Sequence, residues 1–93
     1  MPVGLLTLEL HIQHAQSLKD KRQVLRSLKD RLRAKFNVAV AELEHHEVWQ
    51  RSVVGVVTLS NDEGHVEESL QHVLAEADSM LGPLLVSHAV EMI

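Results

Sequence analysis

Between Val3 and Gln13 the apolar residues fall on every second position, with Leu6, Leu8, Leu10 and Ile12 on one side and Thr7, Glu9 and His11 on the other. A period of two marks a half-buried strand. Past Ser17 the interval changes. Leu18, Leu25, Leu28 and Leu32 recur at steps of seven, three and four, the stripe of an amphipathic helix. Ser17 and Asp20 form a capping pair at its start, and the helix should run to about Lys35 or Phe36. Val38 to Leu43 reads as a second strand, and Trp49 to Leu59, dominated by Val53, Val54, Val56 and Val57, as a third. Ser60-Asn61-Asp62 supplies a turn. Val66, Leu70, Val73, Leu74 and Ala77 mark a second helix that Gly82-Pro83 ends. Leu84 to Ile93 closes the chain as a fourth strand. The order βαββαβ predicts an α+β, ferredoxin-like sandwich, a four-stranded antiparallel sheet with both helices on one face.

A chain of 93 residues suits one domain, residues 1–93, with one core. Aromatics are 2% of it, so that core must be built from Leu, Val, Ile and Ala. The absence of Cys excludes a disulfide framework, a thiol nucleophile and thiolate-bound metal. Met1-Pro2-Val3 carries no basic region, and the following apolar run is broken by Glu9 and His11. That pattern fits neither a signal peptide nor a membrane span, and the expected location is the cytoplasm.

The net charge of −4 conceals a polarised chain. Eight of the nine Lys and Arg residues lie between Lys19 and Lys35 with only Asp20 and Asp30 among them, so eight less two leaves +6 in that stretch. Helical geometry gathers Lys19, Arg22, Arg26, Lys29 and Arg33 into an arc of about 80° beside the leucine stripe. Such a rail is either a solvated face, neutralised by Glu9, Glu42 or Glu44 of the sheet, or a surface that meets phosphates or an acidic protein. It lacks aromatics for stacking bases, so nucleic-acid contact should be mainly to phosphates.

Other constellations are weaker. His45 and His46 lie among Glu42, Glu44 and Glu47, with His11 or His14 near the same end of the sheet, but no zinc-ligand spacing accompanies them and no metal is expected. Trp49 should begin the third strand and close the end of the core, or else anchor an interface with Arg51, two residues on and on the same strand face. Ser60, Asp62 and His65 flank a turn without a nucleophile elbow, and Gly4, Gly55, Gly64 and Gly82 are isolated. Neither a catalytic site nor a cofactor is expected.

The segment Ser17-Leu18-Lys19-Asp20-Lys21-Arg22, followed by Phe36-Asn37-Val38, Trp49-Gln50-Arg51 and Ser60-Asn61-Asp62, resembles the YlxP-like family of small uncharacterised bacterial proteins over nearly the whole chain. That resemblance implies a ferredoxin-like fold, self-association, and genes found among those for transcription and translation factors; no catalytic residues come with it. The expected function is that of a non-enzymatic accessory protein, a homodimer, binding RNA or a ribosomal component through the first helix. The alternative is a homo-oligomeric scaffold or regulator with protein partners only.

Overall fold

Alternation, leucine stripe and turn residues resolve into six main elements in a computed structural model that describes residues 1–93. These are β1 (Val3–His11), α1 (Leu18–Lys35), β2 (Ala39–Glu44), β3 (Arg51–Leu59), α2 (Glu63–Leu81) and β4 (Leu85–Met92), with one 3-10 turn at Gly82–Leu84. The sheet is antiparallel throughout and its strand order is β2-β3-β1-β4. This is the ferredoxin-like arrangement, and both helices pack on one face.

The register shows which side each residue serves. Leu6 lies opposite Val56 and Leu8 opposite Val54, and these four, with Leu10 and Ile12, are at most 1% exposed beneath the helices. Leu25, Leu28 and Leu32 of α1 and Val66, Leu70, Val73 and Ala77 of α2 complete one apolar cluster. The other face has no layer over it. Its middle row runs Ala41, Gly55, Thr7, Ala89 across all four strands. The adjoining rows place Val57 beside Leu5, Val53 beside Glu9 and Leu59 beside Val3. Leu43 lies across Gly55, where an added β-carbon would come within 2.8 Å of its Cδ1.

The helix ends follow local chemistry. Ser17 Oγ accepts from the Asp20 N–H at 3.1 Å, while Asp20 Oδ2 accepts from the Gln16 N–H at 2.9 Å. Asp20 is one methylene shorter than the usual capping-box Glu and bonds one residue before the cap. Ser17→Ala should therefore cost about 1 kcal/mol, measurable as a lower urea midpoint with unchanged slope. An unaltered midpoint would mean the cap is fully replaced by water. Gly82 ends α2 at φ 56°, ψ −126°, backbone that a β-carbon strains.

Two readings need correction. The third strand begins at Arg51, not Trp49. Trp49 lies in the connection between β2 and β3 and is half exposed. It does not close the core. The end of the sheet is finished instead by Gln50: its carbonyl accepts from the Ile12 N–H at 2.8 Å, and its side-chain Nε2 donates to the carbonyls of Gln13 and Ala15.

Candidate nucleic-acid interface

All nine Lys and Arg side chains can be followed from residue to partner. Lys21, Arg31, Lys35 and Arg51 each meet a carboxylate: Lys21 meets Glu42 at 2.9 Å, Arg31 and Lys35 meet Glu76 at 2.9 Å each, and Arg51 meets Glu9 at 3.7 Å. The five that remain are Lys19, Arg22, Arg26, Lys29 and Arg33, and none has an ion pair. Lys29 is half-buried and the other four are exposed. Asp20 and Asp30 neutralise none of them. Of the three sheet carboxylates considered as partners, Glu42 takes Lys21, Glu9 takes Arg51 and Glu44 takes no Lys or Arg.

The rail borders a groove between α1 and edge strand β2. Arg22, Arg26, Lys29, Asp30 and Arg33 form its helical wall, Glu42 stands on the strand side, and Leu25 and Val54 floor a space of about 410 Å³. Arg33 crosses it, with Nη2 3.5 Å from the Val40 carbonyl. The helix beside α1 has the opposite charge. α2 holds five carboxylates, Glu63, Glu67, Glu68, Glu76 and Asp78, and no Lys or Arg, so the one concentrated cationic surface is the outer side of α1.

Lys21 anchors this geometry, and its role was not anticipated. It occupies the position between Leu18 and Leu25 where the stripe skips a leucine, and it is 1% exposed. Its Nζ donates to Glu42 Oε2 at 2.9 Å and to the His45 carbonyl at 2.7 Å, with the His46 carbonyl at 3.4 Å. Ser52, also buried, donates its hydroxyl to the same Glu42 oxygen at 2.7 Å. Burial pushes the Glu42 carboxyl up, but hydrogen bonds from Ser52 and Lys21 and the nearby Lys21 charge outweigh it, leaving the group below its ordinary value of 4.5. On the far side of α1, hydrogen bonds from Lys35 and Arg31 likewise hold the Glu76 carboxyl down. The gap of seven in the leucine stripe was the available signal for Lys21. Nothing local marks Glu76, which lies 45 residues from Arg31.

His45 has φ 67°, and a bulge falls between Glu42 and Glu44. Side-chain alternation past Glu42 is therefore broken, and Glu42, Glu44 and His46 do not share one strand face. No three His, Asp or Glu side chains converge closely enough to hold a metal ion. Arg51 is exposed and paired with Glu9 on the open sheet face, while Trp49 lies before the strand.

A ferredoxin-like sandwich with a cationic helix along one edge is thus the class of protein defined here. Residues 3–88 match the family described as "Protein of unknown function (DUF503)", and the chain belongs to that family. It is 39% identical over 77 residues to "Uncharacterized protein YlxP" of Bacillus subtilis (strain 168), covering 83% of this chain and 84% of that one. Among solved structures it resembles the "Putative antibiotic biosynthesis monooxygenase" of Bordetella bronchiseptica at TM-score 0.58 and 14% identity, covering 100% of this chain and 96% of that one. It also resembles the de novo designed protein LFR1 1 with ferredoxin fold at TM-score 0.55 and 6% identity, covering 100% and 83%. At such identities these two structures establish the fold alone.

Proposed function

We propose that the protein is a non-enzymatic accessory factor of the cytoplasm that binds RNA, or a ribosomal component, through Lys19, Arg22, Arg26, Lys29 and Arg33. One observation carries this reading: every Lys and Arg outside the rail has a carboxylate, and none on the rail has one. Five unpaired cations on one rigid helix repel one another, and a row of phosphates relieves that repulsion while releasing counterions. No helix is long and apolar enough to cross a membrane. The test is Arg26→Glu combined with Lys29→Glu, both outside the buried stripe. Affinity should fall for all RNA sequences alike, and the slope of log affinity against log salt should become shallower by roughly two phosphate contacts' worth. A folded double variant with unchanged affinity and slope would remove the reading.

Self-association has its own support in the uncovered, largely apolar sheet face, a surface of the kind that marks interfaces. A homodimer formed there leaves α1 on the outside, so the two properties are compatible. If no RNA bound, a scaffold with protein partners only would be the remaining reading.

A further inference from the structure

We infer that the groove between α1 and β2 seats the bases of single-stranded RNA while the rail holds its phosphates, so that the site selects single strands over duplex. This rests on the RNA reading above and goes further, because a phosphate rail by itself is indifferent to strandedness. The groove has features that phosphates do not use. Its floor is apolar, formed by Leu25 and Val54, and three of its wall residues, Arg22, Arg26 and Arg33, carry planar guanidinium groups. An unstacked base can lie on such planes where aromatic rings are lacking.

The strand side supplies main-chain polar groups along its free edge. β2 is an edge strand, paired with β3 only. The Val40 carbonyl is approached by Arg33 and the Glu42 carbonyl lies 3.2 Å from His46 Nε2, so both point away from β3. In an antiparallel ladder the N–H of a residue points to the same side as its carbonyl. The Val40 N–H therefore also faces the open edge, where a base edge can accept from it. From Arg22 to Arg33 the wall is roughly 16 Å long, the span of about five stacked nucleotides. A space of 410 Å³ admits flat bases on a single strand. A duplex keeps its bases stacked inside and can only lay its backbone against the rim.

Three probes separate the two readings with the unmodified protein: a short oligouridylate, an abasic oligoribonucleotide of equal length, and the oligouridylate annealed to oligoadenylate. At one fixed salt concentration, fluorescence anisotropy should show the oligouridylate binding at least about tenfold more tightly than either of the others. Equal affinity for the abasic strand would overturn the base seat and leave the phosphate rail standing, and a preference for duplex would do the same. Failure of all three to bind, even at low salt, would overturn both readings.

Discussion

Replacing Lys21 with alanine should lower the free energy of unfolding by about 3 kcal/mol, at the lower end for removing one partner of a buried ion pair. The lower end applies because the Glu42 side chain retains 18% exposure and keeps its bond from Ser52. Lys21→Met retains most of the stem and should cost about half as much, since the cavity is avoided while the carbonyls of His45 and His46 still lose their donor. Acid supplies a second readout. Glu42 is held below 4.5 in the folded chain, so its stabilising contribution is complete above that value and is lost as the pH falls through the lower folded one. The difference in urea-unfolding stability between wild type and Lys21→Met should therefore narrow between neutral pH and about pH 3. Glu76 contributes with the same sign in both proteins and cancels. A difference that stayed constant over that range would mean that the Lys21 ammonium acts through the His45 and His46 carbonyls and not through Glu42.

Placing a charge on the open sheet face, one row from its middle, should dissociate the proposed dimer. Four strands at about 4.8 Å spacing, each some eight residues long, offer on the order of 500 Å² per copy, near the small end of specific interfaces. The dimer should accordingly be of micromolar strength. Val57 is half-buried on that face between Leu5 and Ala39, neither of them charged, so Val57→Glu leaves the monomer's new carboxylate in water but buries it unpaired on association. A cost of about 3 kcal/mol corresponds to a dissociation constant raised more than a hundredfold. Light scattering at high micromolar concentration should return a dimer mass for the wild type and a monomer mass for the variant. A monomeric wild type, or a variant as dimeric as its parent, would move self-association off this face.

What could be read from the sequence follows the range of the interactions involved. β1 was legible because alternation is a property of adjacent residues, and Leu6, Leu8, Leu10 and, just past its end, Ile12 are all buried. The cap at Ser17 and the stop at Gly82 were legible for the same reason. The rail was legible as a helical arc, but its isolation was not: whether a cation is paired depends on Glu76 and Glu42, which tertiary packing brings to α1 from distant parts of the chain. Charge normally means surface, so Lys21 reads with the other cations, although its place in the stripe puts it in the core. Trp49 reads as a core residue because it is large and apolar. Its neighbours Glu47, Val48 and Gln50 turn through a connection whose bonds are made by backbone and amide groups, and nothing there requires an indole.

The opposed signs of the two helices make the molecule an electric dipole whose axis crosses the helical layer. A polyanion at a distance of one Debye length, about 10 Å at 0.1 M salt, exerts a torque as well as a force: α2 is pushed away while α1 is drawn in. The protein is therefore turned before it is touched, and a collision in the wrong orientation is corrected rather than wasted. A chain whose net charge is −4 can thus approach a negatively charged target faster than its total charge suggests, and that advantage fades as added salt shortens the reach of the field.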